Sequence, residues 1–200
     1  MRTIPLVNST RVAFVDDHHY DRLAAHEWRE MKRPKGRTSY AVTKAKTPAG
    51  RETLLPMHRL VMGLLPGDPA EVDHRNNDGL DNREANLRTA TRKQNLANTA
   101  LRQDTTSGYK GVSFHAASHR WRSRTGRNGQ VYLGLFVTRH EAALAYNLAA
   151  EALYGPFAHL NDIPLDKLPT PEEQLALRRR IAYVLNTLVN PLPVPVPTVT

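Results

Sequence analysis

Cysteine is absent from the 200 residues, which excludes disulfides, thiol nucleophiles and cysteine-based zinc ribbons and fits a reducing compartment. Any metal must be held by His, Asp, Glu or Asn. Long apolar runs are lacking too: hydrophobic residues are 40% of the chain, but they fall in stretches far shorter than the roughly 20 residues a membrane span needs. The opening Met1-Arg-Thr-Ile-Pro5 has no apolar signal-peptide core. Neither membrane insertion nor export is expected, and the expected location is the cytoplasm. At about 150 residues per domain, the length suits two small modules.

Acidic residues are scarce in one region. Between Arg88 and His140 stand ten basic residues and one acid, Asp104, while the rest of the chain balances at 18 against 18, so this segment carries the whole net charge of +9. It is interleaved with Tyr109, Phe114, Trp121 and Tyr132. A stretch of one sign with aromatics suits a polyphosphate partner, because released counterions drive binding and rings add contact area. A solvated basic face is the plainer alternative.

Local signals give a coarse map. Val12-Ala-Phe-Val15 reads as a strand, Asp16 or Asp17 caps a helix through Trp28, and residues 39–43 and 53–55 read as strands around Pro48-Ala-Gly50. A short amphipathic segment, 58–62, precedes chain breakers at Gly63, Pro66, Gly67 and Pro69. Then come the strand Val72-Asp-His74, the turn Asn76-Asn-Asp-Gly79, and a helix capped by Thr91 running to about Leu101, with Asn95 and Asn98 on adjacent positions of one face. After a linker at 104–108, runs at 109–114, 120–125 and 131–136, with a turn at Arg127-Asn-Gly129, read as an antiparallel meander. The capping box Thr138-Arg-His-Glu141 starts a helix stopped by Gly155-Pro156, a last helix begins at Pro171 behind Thr170, and the tail from Asn190 is Pro-rich and extended.

One constellation could do chemistry. Asp73 and His74 stand at a strand end, Asn86 follows twelve residues after His74, and Asn95 nine residues after that. A carboxylate with a neutral oxygen ligand suits a hard divalent cation, magnesium or manganese, and a neighbouring His with a reference pKa of about 6.5 can take a proton from water. Together these are the requirements of phosphodiester scission. Adjacent strand residues point to opposite faces, so Asp73 and His74 share a site only where the strand ends or bends. As a bare pattern, a polar loop rich in Asn and Asp reads the same way.

Met57-His-Arg-Leu-Val-Met-Gly63, Val72-Asp-His-Arg-Asn-Asn-Asp-Gly79, Asp81-Asn82, Asn86-Leu-Arg88 and Gln94-Asn95 together resemble the HNH endonuclease family, particularly its phage and homing type. The resemblance implies a ββα-metal module in which His74 activates water, Asp73 and Asn95 hold magnesium or manganese, Asn86 braces the loop as part of the catalytic set, and His58 supports it. Asn95 stands where other members carry His. Ile4-Pro-Leu6 and residues 12–17 resemble the leader found before such modules.

From Ser107 to Asn161 a second resemblance holds. Gly108-Tyr-Lys-Gly-Val112, Trp121, Leu133-Gly-Leu-Phe136, Glu141-Ala-Ala143, Ala145-Tyr146, Ala149-Ala150 and Leu160-Asn161 are similar to the Apetala-two (ethylene-response-factor-like) DNA-binding domain. That implies a sheet entering the major groove, with Lys110, Arg120, Arg122, Arg124, Gln130 and Tyr132 as contact candidates and Trp121 in the core. Strand alternation alone puts Arg120, Arg122 and Arg124 on one face.

The expected fold class is α+β: a ββα-metal nuclease module followed by a three-stranded antiparallel sheet packed on one helix. The expected divisions are a β-rich leader (1–56), the nuclease module (57–103), the DNA-binding domain (104–161) and a C-terminal helix with a Pro-rich tail (162–200). The expected function is a metal-dependent, homing-type endonuclease that nicks double-stranded DNA as a monomer or weak dimer, in a bacterial or phage-infected cell. The alternative is a non-catalytic, sequence-specific DNA-binding regulator. Two histidine pairs, His18-His19 and His115 with His119, lack further ligands nearby in the sequence and read as surface histidines. Arg178-Arg-Arg180 reads as a solvated helix face.

Overall fold

The computed structural model describes residues 1–32, 38–101, 105–126 and 129–189. Asp104, Arg127, Asn128 and the Pro-rich tail fall outside the described residues. The chain divides into two compact units, Met1–Ala100 and Leu101–Thr200. The architecture mixes helices with antiparallel sheets.

In the first unit β1 (Arg2–Pro5) pairs with β2 (Val12–Val15), helix α1 covers Asp17–Ala24, and β3 (Arg29–Lys32), β4 (Ser39–Lys46) and β5 (Glu52–Pro56) form a sheet in that order. Then follow α2 (Met57–Val61), β6 (Glu71–His74), β7 (Leu87–Ala90) and α3 (Arg92–Ala97). α1 ends four residues before Trp28, which is buried and donates its indole N–H to the Leu23 carbonyl at 2.7 Å. The strand around Pro5 and the charged β3, Arg-Glu-Met-Lys, carry no clean period-2 apolar signal; their pairing with β2 and β4 is what makes them strands. One core joins Ile4, Val15, Leu23, Trp28 and Ala41 to Met57, Val61, Val72, Leu80 and Leu87. Leader strands and the later hairpin thus share a single apolar interior.

The breakers at 63–69 are held by one side chain. Arg59 donates to the carbonyls of Ala70 (2.6 Å), Asp68 (2.8 Å) and Leu65 (3.4 Å). This satisfies backbone acceptors in a segment without regular structure.

In the second unit β8 (Val112–His115), β9 (Arg120–Thr125) and β10 (Val131–Phe136) form a three-stranded sheet with β9 central. α4 (Arg139–Tyr154) starts in a Thr138/Glu141 capping box, and α5 covers Pro171–Val189. The core joins Val112, Leu133 and Phe136 to Ala142, Ala143, Ala145 and Ala149 of α4 and to Leu177 and Ile181 of α5. Small side chains let α4 lie close on the strands. Gly111 is part of that closeness: its φ is 76°, and a Cβ there would meet the Arg124 carbonyl oxygen at 2.5 Å and the Tyr146 ring. The loop before β8 is clasped from the far end of the unit, since Lys110 N donates to Asn161 Oδ1 at 2.6 Å and Asn161 Nδ2 returns to the Lys110 carbonyl at 3.1 Å.

Candidate active site and nucleic-acid face

The register of β6 on β7 sets Asp73 opposite Arg88 and His74 opposite Leu87. Both site residues are buried, although they are strand neighbours. Alternation explains how: one face of the hairpin is covered by α3 and the other by aromatic side chains from earlier elements.

On the helix side, Arg88 donates to Asp73 Oδ2 through Nε at 2.8 Å, with Nη2 at 2.7 Å. Asn98, the residue closing α3, donates from Nδ2 to Asp73 Oδ1 at 3.0 Å and to the His74 carbonyl at 2.8 Å. Asn95 instead donates to Glu71 Oε2 at 3.0 Å. Glu71 and Asp73 occupy the same face of β6 two positions apart, and Asn95 and Asn98 stand one helical turn apart, so the helix lays its two amides along the strand. The place beside Asp73 belongs to Asn98. The i, i+3 spacing of the two Asn residues is the signal that could have shown this.

On the other side His74 packs edge to face on His58, with ring centroids 4.8 Å apart, and both rings meet Tyr40, at 5.7 Å from His74 and 5.4 Å from His58. Gly79 lets the loop approach this cluster, since a Cβ there would lie 2.7 Å from the Tyr40 ring. His74 Nε2 meets no hydrogen-bond partner among the described residues. Burial lowers the His74 pKa below its ordinary value, opposed by the Asn82 side chain and the carboxylates of Asp73, Asp78 and Asp81. A ring kept neutral in this way retains one nitrogen lone pair able to accept a proton.

Asn86 is the hub of the loop between the strands. Its Nδ2 donates to the Asp81 carbonyl at 2.8 Å and to Asn76 Oδ1 at 2.9 Å, while its Oδ1 accepts from Asn76 N at 3.1 Å. Asn76 Nδ2 reaches Asp81 Oδ2, and Arg83 grips Asp81 through Nε and Nη2, both at 2.7 Å, holding that carboxyl below its usual range. The leader enters here: Phe14 N donates to the Leu80 carbonyl and Asn82 N to the Phe14 carbonyl, each at 2.8 Å.

Asp73 with Asn98 is a reasonable donor set for a hard cation. The carboxylate keeps lone-pair capacity beyond Arg88 and Asn98, and turning the Asn98 amide presents an oxygen in place of Nδ2.

Residues 57–97 match the family model described as HNH endonuclease. The matched segment contains α2, the β6–β7 hairpin and α3, and Asn98 follows it directly. Over 105 residues the chain is 35% identical to an uncharacterized HNH endonuclease of Acanthamoeba polyphaga mimivirus, covering 52% of this chain and 53% of the relative. It is also 43% identical over 74 residues to an AP2-like ethylene-responsive transcription factor of Arabidopsis thaliana, covering 34% of this chain and 21% of the relative. A dehydration-responsive element-binding protein of the same plant is 34% identical over 86 residues, 42% of this chain and 41% of the relative. The chain therefore spans about half the length of the viral relative and less of the plant ones. No solved structure matches it.

In the second unit, Arg120 and Arg124 are exposed and Arg122 half-buried, whereas Ser123 between the last two and Thr125 after them are buried. The basic side chains thus share the outer face of β9. Tyr132, opposite Arg124 in the register, is 49% exposed beside it, and Gln130 is exposed. Arg122 is oriented by Ser113, whose Oγ accepts from Nε and Nη2 at 3.3 Å each. β8 begins only at Val112, so Lys110 stands in the preceding turn rather than in a strand. Trp121 is half-buried against the core and meets Phe114 edge to face at 5.2 Å. No described helix is long and apolar enough to cross a membrane.

Proposed function

We propose that the chain is a metal-dependent DNA endonuclease in which the first unit cuts and the second unit binds double-stranded DNA. The observation that carries this reading is His74: a buried, neutral histidine whose Nε2 meets no hydrogen-bond partner among the described residues, inside the segment matched by the HNH family model and beside a carboxylate tied to an amide. His74 takes the proton of the attacking water, and its ring is kept in place by His58 and Tyr40. Asp73 and Asn98 would hold a magnesium or manganese ion, with Asn95 aligning α3 through Glu71. When bound, such an ion offsets charge developing on the phosphate and the leaving oxygen. Asn86 keeps the 75–86 loop in one shape, so that Asp73 and His74 meet the phosphate in fixed geometry.

The DNA-binding half of the reading is supported by the arginine row of β9 and by the plant relatives. Arg120, Arg122 and Arg124 present five donors each to phosphates or guanine edges, and Tyr132, Gln130 and Lys110 border them. One site acts on one strand at a time, so nicking is the expected activity, as in homing-type enzymes. The test is a supercoiled-plasmid assay with and without chelator. Cutting that requires magnesium or manganese and disappears in His74→Ala, with DNA binding retained, is the expected result; undiminished cutting by His74→Ala overturns the assignment.

A further inference from the structure

We propose that His18, His19 and Glu84 form a second metal site, separate from Asp73, that takes a borderline divalent ion of the zinc type. Neighbouring residues on a helix project about 100° apart, yet the two imidazoles stand with centroids 4.2 Å apart and both turn Nε2 toward Glu84 Oε1, at 3.5 Å from His18 and 2.8 Å from His19. The ligand atoms all lie within 4.8 Å of one another. Metal bonds of about 2.1 Å imply ligand separations near 3.4 Å in a tetrahedral site, so a small closure completes it. Two imidazoles with one carboxylate suit zinc or cobalt rather than magnesium.

The third ligand comes from 65 residues away and is held at its backbone, because Glu84 N donates to Asp16 Oδ2 at 2.7 Å. That distance is why the sequence shows only a pair of surface histidines. One contact competes with the ion. Arg22 Nη2 lies 3.2 Å from His19 Nδ1, which makes Nδ1 the acceptor and leaves the ring proton on Nε2, directed at Glu84. On binding, the Nε2 proton leaves to solvent, Nδ1 takes one up, and the exposed Arg22 turns away; the ring stays neutral overall. A bound ion would staple α1 to the turn two residues before Asn86, making the leader part of the frame that holds the loop.

The test is calorimetric titration of the full chain with zinc in excess magnesium. One zinc per chain is expected, with affinity reduced tenfold or more in His19→Ala and in Glu84→Gln, raised in Arg22→Ala, and unchanged in Asp73→Ala. Saturating zinc should raise the melting temperature of the wild type but not of Glu84→Gln, which keeps the side-chain shape and folds independently of the ion. Absence of zinc binding in the wild type overturns the proposal. So does binding that survives both His19→Ala and Glu84→Gln, or that is lost in Asp73→Ala instead.

Discussion

Asn98 Nδ2 lies 3.0 Å from Asp73 Oδ1 and 3.1 Å from Oδ2, whereas Asn95, one turn earlier on the same helix, reaches Glu71. The two amides are chemically identical and differ only in which carboxylate they face. Asn98→Ala removes a donor from a buried carboxylate and an oxygen ligand from the proposed ion site. Its metal-dependent cutting should fall on the order of ten- to hundredfold, with a raised magnesium requirement. Asn95→Ala should stay near wild-type activity at saturating magnesium. Plasmid nicking over a magnesium series decides between them, and the reverse order of effects would return the ligand role to Asn95.

Burial holds the His74 pKa down, and this has a signed consequence for both activity and stability. The neutral ring is the working form, so the acidic limb of the rate profile should have its midpoint below about 6.5, the reference value for a free histidine. Because the folded pKa is depressed, the unfolded chain takes up the proton first. The stabilisation is therefore full above about pH 6.5 and is lost as pH falls through the folded value. Denaturation midpoints between pH 7.5 and 5 should fall more steeply for the wild type than for His74→Gln. Equal slopes would show that the ring is not protected from protonation.

What the sequence made legible was local. Thr91 caps its helix and Thr138 forms the capping box its spacing implies, α5 starts at Pro171, and alternation along β9 puts its arginines on one face. Partners fixed by tertiary register were not legible. Arg88 meets Asp73 only because β6 and β7 pair with these two residues opposite, and Tyr40 meets His74 from a different sheet. Glu84 reaches His19 for the same reason. β3, with three charged residues in four, is a strand because β4 supplies its hydrogen bonds, which no periodicity encodes. The break at Ala97 is similar: the helix stops short of Leu101 and its closing residue, Asn98, turns to the strand.

The outer face of β9 makes a quantitative demand on DNA binding. If Arg122 and Arg124 contact phosphates, each Ala variant should weaken binding to all sequences and reduce the magnitude of the salt slope by about one. If either reads a base, its variant should cost roughly 1 to 3 kcal/mol mainly at one base pair. Ser113→Ala, which frees the Arg122 guanidinium, should give a weaker version of the Arg122 effect. Titrations at several salt concentrations separate the cases; unchanged affinity and slope in both arginine variants would move the DNA surface elsewhere.

Close packing at Gly111 predicts a stability effect without any role in contact. A methyl group there meets the Arg124 carbonyl and the Tyr146 ring at a backbone φ of 76°. Overpacking and the left-handed conformation act together, so Gly111→Ala should destabilise the second unit by about 2 kcal/mol or more. Thermal unfolding measures it, and nicking of unspecific plasmid at low temperature should change far less than the melting transition.

The last prediction concerns division of labour, motivated by the Asp73–His74–Asn98 site in residues 1–100 and the arginine-bearing sheet in the unit that follows. Tethering raises the local concentration of a nuclease at a bound site without new contacts, so separation should cost target preference more than chemistry. Residues 104–200, which keep α5 and its share of the core, should bind DNA without cutting. Residues 1–103 alone should retain weak, poorly selective cutting at high concentration. Since one site serves one strand at a time, a monomer should convert supercoiled plasmid to nicked circles before linear product, whereas an obligate dimer would give linear DNA at once. A time course over a range of enzyme concentrations, with the intact chain and both pieces, reads all of these. Strong selective cleavage by residues 1–103 would remove the targeting role from the second unit, and linear product without a nicked intermediate would refute single-strand action.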